Sequence, residues 1–524
     1  MKKRFNVTGT CRPAEHYMMD DTRRFNAIMD LVERGEYFVI NRPRQYGKTT
    51  MLAALRNELR RREDYLPVFM SFQGLDSSVY KSDITFGQYF YGELVDALQY
   101  SEEFDKKAQV AELPVPQTMK ELSNSITTIV RMTPKKLVLL IDEVDASSNY
   151  EPFLVLLGML RTKFLNRDQP EHATFHSVVL AGVHDIKSLK FKLRNPDDAQ
   201  YNSPWNIAAD FKVVMEFYPN EIAHMLKEYS QAEGVQMDIE AMSERLYYYT
   251  SGYPFLVSKL CKIIAEEILP QKQDKSRWTM DDLEAAVQLL LKEDNTNFDS
   301  LIKNLENNKE LYDMVCRVLI DGELIPFNPD AALTRLGRMY GIFKEVQGGV
   351  AIHNRIYEQR IYAYLIVRRI EEKQPETVNY VGSQFIKDDG SLDMCQVLRK
   401  FQAFMKEQYS KRDESFKERE WRLVFLSYLK PIINGRGYDF KEVETSEEKR
   451  MDIVVTYLQW RYIIELKRWS GEKSHKRGLD QLANYLDIHG VNEGWLLIFD
   501  DRHNPTWKEE LIQHKGKEIF AVWV

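Results

Sequence analysis

From Tyr37 to about Phe217 the chain alternates short apolar runs with longer helical stretches. The runs are YFVI (37–40), PVFMSF (67–72), KLVLLI (136–141), SVVLAG (177–182) and VVMEF (213–217). They are continuous rather than alternating, which marks strands buried on both faces. A mostly parallel sheet with helices on either side is therefore expected. Residues 218–292 read as helical, through PNEIAHMLKEYSQAEG and SERLYYYTSGYPFLVSKLCKIIAEEIL. Further helices follow from 297 to 372, with a hairpin in IFKEVQGGVAIHN whose Gly348-Gly349 suits a tight turn. That order predicts a winged helix. Residues 373–412 are polar and mixed, a linker with some helix. Beyond them the α/β rhythm returns: a helix over 417–430, then GRGYDFKEVE, MDIVVTY, RYIIELK, a helix over 478–488, and GWLLIF.

The pattern divides the chain into an α/β core (1–217), a helical lid (218–296), a winged-helix-like module (297–372), a linker (373–412) and a second α/β domain (413–524). A length of 524 residues allows roughly three domains, each able to bury a core. With 44% hydrophobic and 29% charged residues, the composition is that of a soluble globular protein. The net charge of −7 excludes a polycation, so any nucleic-acid surface must be local. Residues 1–30 contain no apolar leader and no run reaches about 18 apolar residues, so neither a secretory signal nor a membrane span is expected. Cys11, Cys261, Cys316 and Cys395 are far apart and form no C-x-x-C, which argues against a zinc site or disulfide framework and fits the cytoplasm.

The first candidate chemistry lies in YFVINRPRQYGKTTMLAAL (37–55). An apolar strand runs into Gly47-Lys48-Thr49 and a helix with Leu52, Leu55 and Leu59 on its buried side. A phosphate-binding loop needs backbone N–H groups turned inward, a lysine, and a hydroxyl at the helix start. Here Gly47 lets the backbone close around phosphate, Lys48 reaches β/γ oxygens and Thr49 can ligate Mg²⁺. The pattern G-x-x-x-x-G-K-[ST] wants a glycine where Arg42 stands, and Pro43 can set the turn instead. Some 90 residues on, KKLVLLIDEVDASS delivers Asp142 and Glu143 at a strand end. Asp142 is suited to hold Mg²⁺ through water, and Glu143 to polarise the water that attacks the γ-phosphate.

NRPRQYGKTT is similar to the glycine-poor loops of AAA-like and archaeal-type ATPases related to the STAND class, with their Pro-Arg-x-x-Gly-Lys-[Ser/Thr]. The lead-in TGTCRPAEHYMMD, SPWNIAADF (203–211) and SGYPFLVSKLC (251–261) resemble elements of the same group, over about residues 4–370. The resemblance implies a P-loop NTPase fold and ATP as the nucleotide. It makes Pro43, Arg44, Gln45, Tyr46, Gly47, Lys48, Thr49 and Thr50 the loop, places the lead-in near the adenine, and puts the Gly-x-Pro helix start, hence Pro254, over the nucleotide. His184 stands where a polar sensor often ends a strand, and is equally a solvated loop histidine. No arginine finger can be assigned: Arg44, Arg194 and others are equal candidates, and each reads first as a surface arginine. The basic KSLKFKLRN (187–195) is either a solvated face or a nucleic-acid contact.

The second candidate chemistry is in KRMDIVVTYLQWRYIIELKRW. DIVVTY and RYIIELK should form a hairpin that can bring Asp452 beside Glu465, with Glu465 and Lys467 two apart and so on one face. Paired carboxylates can hold one or two Mg²⁺ ions, and the lysine can stabilise the nucleophile or the charge developing on a phosphodiester. FLSYLKPIINGRG, KRMDIVV, IIELKRWSGE and QLANYL resemble the PD-(D/E)xK nuclease superfamily, particularly C-terminal domains fused to bacterial AAA-like ATPases. That resemblance implies a restriction-endonuclease-like fold with a site of Asp452, Glu465, Lys467 and Gln481. Met451 stands where the superfamily's proline would be. A glutamate on the preceding helix would complete the metal shell, Glu418 or its rival Glu420. KRWSGEKSHKRG (467–478) reads as a loop whose Lys473, His475, Lys476 and Arg477 either neutralise phosphates or are simply exposed.

Two intact metal–phosphate sites in one chain lead to the expectation of an ATPase whose nucleotide state gates a Mg²⁺-dependent nuclease acting on nucleic acid, with DNA as the expected substrate. A defence or DNA-processing role is what the resemblance implies. The alternative is a STAND-like ATP switch or scaffold whose C-terminal domain only binds nucleic acid or a partner. A helicase-like motor would need a homo-oligomer and an arginine finger.

Overall fold

The computed structural model describes residues 2–148, 150–183, 205, 207–319, 323–372, 385–409, 424–426, 428–429, 432–433, 437–440, 453–457, 460–488, 490–500, 502 and 505–524. The chain divides into two compact units. The first comprises Met1–Asn304, Pro329–Lys344 and His353–Ile356, and the second Leu305–Asn328, Glu345–Ile352 and Tyr357–Val524.

In the first unit four parallel strands, β1 (Tyr37–Asn41), β2 (Tyr65–Ser71), β3 (Lys136–Asp142) and β4 (Ser177–Gly182), stand in the order β1-β4-β3-β2. The continuous apolar runs are explained by burial: Leu137 to Ile141 of β3 and Val178 to Ala181 of β4 are all at most 1% exposed. Helices Asp83–Gln99, Met119–Arg131 and Glu151–Leu165 cover the sheet, and Phe86, Leu94, Ile126, Phe153 and Leu157 pack with Leu139 and Leu180 in one core. The caps are local. Thr118 Oγ1 accepts the N–H of Glu121 at 3.1 Å, and Leu122, Ile126 and Ile129 then fall on one buried face.

The expected strand at 213–217 does not form. Its carbonyls are claimed by side chains: Arg42 donates to Val213 O at 2.6 Å, and Arg24 to Val214 O at 3.0 Å and Glu216 O at 2.6 Å. The outer edge of β1 meets Ala209 instead, whose N–H donates to Tyr37 O at 2.8 Å. Trp205 is buried against Tyr37, with ring centroids 5.8 Å apart. His184, Arg194, the segment 187–195 and residues 203, 204 and 206 lie outside the described residues. After the sheet come helices Pro219–Glu233, Ile239–Thr250, Pro254–Ile263 and Met280–Lys292.

Helices Thr296–Glu306, Lys309–Leu319 and Ala332–Met339 precede a hairpin of β5 (Phe343–Val346) and β6 (Gly349–Ile352), and helix Arg355–Glu372 follows it. The turn is centred on Gln347 and Gly348, both at positive φ, one residue earlier than the Gly-Gly pair suggested.

The second unit carries a six-stranded sheet in the order β11-β12-β10-β9-β8-β7. Its strands are β7 (Gly437–Phe440), β8 (Ile453–Tyr457), β9 (Trp460–Arg468), β10 (Glu493–Phe499), β11 (Glu509–His514) and β12 (Lys517–Trp523). The β8–β9 hairpin is antiparallel with Ile453 opposite Ile464, whereas β10 is parallel to both β9 and β12. The last two strands were not foreseen. Of the expected helix over 417–430, residues 424–426 and 428–429 are helical and the others lie outside the described residues. Helix Met394–Tyr409, in the segment read as linker, docks on the sheet, with Gln402 Nε2 donating to Trp523 O at 2.8 Å.

Among the described glycines, Gly252 makes the tightest approach to another backbone segment. It sits at φ +71°, its carbonyl accepts the N–H of Phe217 at 2.8 Å, and a Cβ there would stand 2.0 Å from Phe217 O. Gly252→Ala must therefore both strain the backbone and push two segments apart. We expect it to destabilise the protein by about 2 kcal/mol or more in chemical denaturation.

Candidate functional site

The end of β1 and the end of β3 both deliver chemistry, and β4 lies between them. The chain leaves β1 at Asn41, turns through 42–47, and enters helix Lys48–Arg61 with Gly47 in the left-handed region at φ +77°. Gln45 also has positive φ, whereas Arg42 does not. This accounts for the missing first glycine, since the backbone at 42 adopts a conformation open to any residue. Arg42 instead anchors the turn: its N–H donates to Gly182 O at 3.1 Å and its guanidinium to Asn41 O at 2.9 Å and Val213 O at 2.6 Å. The side chain also lies over the Phe211 ring.

Thr49 and Asp142 meet across the end of β4. The Thr49 hydroxyl donates to Asp142 Oδ2 at 2.7 Å, and Asp142 Oδ1 accepts the N–H of Glu143 at 2.9 Å. Asp142 is 3% exposed. Lys48 Nζ donates to the carbonyls of Arg42 at 2.9 Å and Pro43 at 2.8 Å. Burial pushes the Lys48 ammonium below the usual lysine range, against the pull of Asp145, Glu143 and Asp142. Glu143 takes a left-handed conformation at φ 54°, a strained geometry for a residue with a side chain. Desolvation, and next the charge of Asp142, raise its carboxyl above the usual range.

Several partners escaped the sequence reading. Asp145 Oδ2 accepts the N–H of Val183 at 2.6 Å and so fastens the chain just past β4 to the turn after β3. Gly182 permits that closure, since a Cβ would stand 2.8 Å from Val144 Cγ2 and 2.9 Å from Asp145 Oδ1. Tyr46 is 1% exposed, and its hydroxyl lies 2.7 Å from His353 Nε2 and 3.3 Å from Glu216 Oε1. Tyr253 packs edge-on against Tyr46 and donates to Arg44 O at 2.6 Å. Pro254, the residue expected over the nucleotide, opens helix Pro254–Ile263, and its neighbour Tyr253 makes the polar contact with the loop. Gln45 accepts from Asn297 Nδ2 at 2.9 Å, and Arg44 is exposed with Nη1 3.5 Å from Ser300 Oγ. Thr50 Oγ1 accepts the N–H of Cys11 at 3.1 Å, which brings the lead-in onto the helix start. The acidic spacing in LIDEVD was the one available sign of Asp145; the aromatic and histidine partners come together only through tertiary contact.

The donor set suits a magnesium–phosphate ligand. A hydroxyl and a carboxylate offer hard oxygens 2.7 Å apart. Beside them stand the half-buried Lys48 ammonium and the first N–H groups of a helix, which have no intrahelical acceptor.

In the second unit Glu465 and Lys467 share one face of β9. Glu465 is 2% exposed, and Lys467 Nζ lies 2.7 Å from Glu465 Oε1. Gln481 is half-buried on helix Glu472–Ile488, and a Cβ at Gly478 of that helix would stand 3.4 Å from the Lys467 stem. Asp452, Glu418 and Glu420 lie outside the described residues. Lys473, His475, Lys476 and Arg477 do not form the expected loop. They occupy the first turns of this helix, which begins six residues early with Glu472 in a first turn where a carboxylate is favoured. Among the described residues no group of three or more His, Cys, Asp or Glu converges as a metal site. No described helix is long and apolar enough to cross a membrane.

The family of AAA-like domains matches residues 13–361. No curated protein matches the chain. Among solved structures it is similar to a Walker-type ATPase of Pyrococcus abyssi at 12% identity, covering 68% of this chain and 99% of that one, with a TM-score of 0.45. It is also similar to the ORC1 protein of Aeropyrum pernix in complex with DNA, at 12% identity, 67% and 94% coverage and a TM-score of 0.31. A third is the RuvB Holliday junction branch migration motor of Thermotoga maritima, at 14% identity, 69% and 98% coverage and a TM-score of 0.34.

Arg42→Gly restores the usual phosphate-loop pattern, yet it removes the guanidinium that ties the turn to Asn41 and Val213. It is expected to destabilise the protein by about 1–3 kcal/mol without tightening nucleotide binding, measured by denaturation and by nucleotide titration side by side.

Proposed function

The chain belongs to the AAA-like domain family, and from that premise we propose that it binds and hydrolyses ATP at the 42–50 loop, and that its nucleotide state gates a nuclease carried by the C-terminal domain. The observation that carries the first half is the Thr49–Asp142 contact at 2.7 Å beside the half-buried Lys48. Gly47 and the helix start bind phosphate, and Lys48 exchanges its loop carbonyls for β/γ oxygens. Thr49 and Asp142 would hold Mg²⁺, which when bound supplies neutralisation of phosphate charge. Glu143 takes the proton of the attacking water, a role its raised pKa suits.

For the second half, Asp452, Glu465 and Glu418 are the proposed holders of Mg²⁺, with Lys467 stabilising the charge that develops on a phosphodiester and Gln481 completing the set. Support comes from Glu465 and Lys467 standing together on the central strand β9, the carboxylate almost wholly buried. The winged-helix-like module over 297–372 is the proposed switch through which nucleotide state licenses cleavage. DNA is the proposed substrate.

A second reading draws on the same pair. Lys467 already neutralises Glu465 directly, and a lysine so placed competes with a cation for the carboxylate. On that reading the chain is an ATP-dependent switch whose C-terminal domain binds nucleic acid without cutting it.

Plasmid and single-stranded DNA incubated with the full chain and Mg²⁺ or Mn²⁺, with and without ATP, decide between the two. Gated cleavage predicts cutting that Glu465→Ala and Asp452→Ala abolish while ATP hydrolysis persists, and that Lys48→Ala alters. Binding without cutting of either substrate, with ATP still hydrolysed, selects the switch.

The pH profile of ATP hydrolysis tests Glu143 independently. The reactive form is the ionised carboxylate, and its pKa is raised. Activity should therefore fall, as pH is lowered, at a pH above the ordinary carboxylate range. Glu143→Gln should lose about 10²-fold or more of the hydrolysis rate together with that acid limb, while ATP still binds.

A further inference from the structure

Just past Lys467 the second unit gathers tryptophans and cations at one end of its sheet, and none of the chemistry above uses them together. β9, β10 and β12 are parallel, with Arg468 beside Phe499 and Ile498 beside Trp523, so the three strands end along one edge. β11 runs back from that edge, with Glu509 opposite Val522. Helix Glu472–Ile488 starts there too, since its His475 lies 5.9 Å from the Trp469 ring and 5.2 Å from that of Trp523. The carboxyl ends of parallel strands are where such sheets receive ligands. Three of the chain's eight tryptophans stand at this edge: Trp469, Trp523 and Trp507, whose neighbour Lys508 accepts the N–H of Trp523 at its carbonyl.

Each tryptophan carries a cation. The Arg502 guanidinium lies 5.6 Å over the Trp469 ring, Lys508 Nζ 4.0 Å over Trp523, and Lys406 Nζ 5.7 Å over Trp507. Trp523 is buried, whereas Trp469 and Trp507 are half-buried. Arg502 is held in place by Asp500, which is wholly buried: Nε donates to Oδ1 at 2.7 Å and Nη2 to Oδ2 at 2.6 Å. Two parallel hydrogen bonds fix the plane of a guanidinium, and 52% of the Arg502 side chain is still open to solvent. The outcome is a flat, pre-oriented cationic face over an indole. Further charge comes from Lys473, Lys476 and Arg477, whose spacing of three and four puts them on one side of the helix. All three are exposed and make no ion pair among the described residues. Of the nearby carboxylates, Glu509 is taken by Arg399 and Glu510 by Lys508, which leaves Glu472 to oppose them.

We propose that this edge binds nucleic acid as a single strand, with Lys473, Lys476 and Arg477 on its phosphates and an unpaired base stacked on the Arg502–Trp469 pair. The inference rests on the nucleic-acid reading of the C-terminal domain given above and adds the form in which the strand is taken. An unpaired base offers its whole π-face, and both indoles and guanidinium planes accept it. A duplex satisfies the lysines equally well but keeps its base faces inside the stack, so the Arg502–Trp469 pair gains nothing from it. An acidic protein surface likewise supplies charge without a flat ring. Position agrees with chemistry: Glu465, Lys467 and Trp469 follow one another at intervals of two, and Trp469 packs on the core beneath the same helix that covers Lys467. A base stacked here holds its strand beside the Glu465–Lys467 pair. DNA and RNA strands share this chemistry.

Binding of fluorescent single-stranded DNA, single-stranded RNA and duplex DNA to the full chain is measured over a range of salt, in EDTA so that no strand is cut. The wild type should bind one or both single strands about tenfold or more tighter than the duplex, a comparison that needs no variant to fold. The triple variant Lys473→Gln, Lys476→Gln, Arg477→Gln should weaken the single strand and lower the slope of log affinity against log salt by about 2. Arg502→Lys keeps a cation on Asp500 but loses the plane. It should weaken the single strand by about fivefold or more and leave the salt slope unchanged. A duplex bound as tightly as either strand overturns the proposal, as does undiminished single-strand affinity in either variant when its melting curve shows it folded. A wild-type chain that binds none of the three overturns the nucleic-acid reading itself, a result distinct from indifference to strandedness.

Discussion

Two loops from strands that are not neighbours have to meet over the end of the strand between them. The loop after β1 supplies Lys48 and Thr49, the turn after β3 supplies Asp142 and Glu143, and β4 separates β1 from β3. The convergence depends on how β4 ends. Gly182 leaves no side chain in the way, its carbonyl accepts from Arg42, and Asp145 takes the N–H of Val183 immediately beyond it. Each of these contacts draws one of the flanking loops inward. The short Thr49–Asp142 bond is thus the outcome of sheet order and of a residue chosen for having nothing beyond its backbone.

Around that centre the loop is held from outside by side chains of later segments. Tyr46 is sunk among Tyr253, His353 and Glu216, and Tyr253 reaches the carbonyl of Arg44. Arg42 crosses to Val213. The loop's flexible-looking sequence therefore has little freedom: Arg42, Arg44, Gln45 and Tyr46 are all anchored by groups from later parts of the chain. His353 stands two residues before helix Arg355–Glu372, so the position of a phosphate-loop tyrosine is tied to the start of a long helix. The C-terminal pair is built on the same economy of means. Glu465 and Lys467 gain their common face from the two-residue repeat of a strand, and Gly478 lets the covering helix come down on the lysine stem.

Much of this was legible in the residues. Strands β1 to β4 were visible because burial on both faces demands continuous apolar runs, and Lys48, Thr49, Asp142 and Glu143 stood at strand ends where parallel sheets collect their chemistry. VVMEF had the same composition as those strands and yet is not one. Whether Val213 to Phe217 pairs in a sheet is decided by Arg24 and Arg42, whose reach into its carbonyls no local pattern displays. Helix Glu472–Ile488 was started late because KSHKRG is polar enough to pass for loop, and the packing of His475 against Trp469 and Trp523 is made only once the chain has folded. Tyr253, His353 and Glu216 were invisible for a third reason. They are distant in sequence and acquire meaning only when packing brings them to Tyr46.

The hold of the loop on its own lysine has a further consequence. Lys48 Nζ rests on the carbonyls of Arg42 and Pro43, so an arriving anion enters an exchange rather than an empty socket. The ammonium gives up two good hydrogen bonds and recovers them from the ligand, and only what the ligand offers in excess appears as affinity. A single small anion, matching two carbonyls with two oxygens, gains little from such a trade. On the proposed reading a chain of phosphates would gain more, because the same displacement would also engage the helix start and Thr49. The loop would thereby set a threshold on ligand length, a filter arising from a contact that at first sight only keeps a side chain in place.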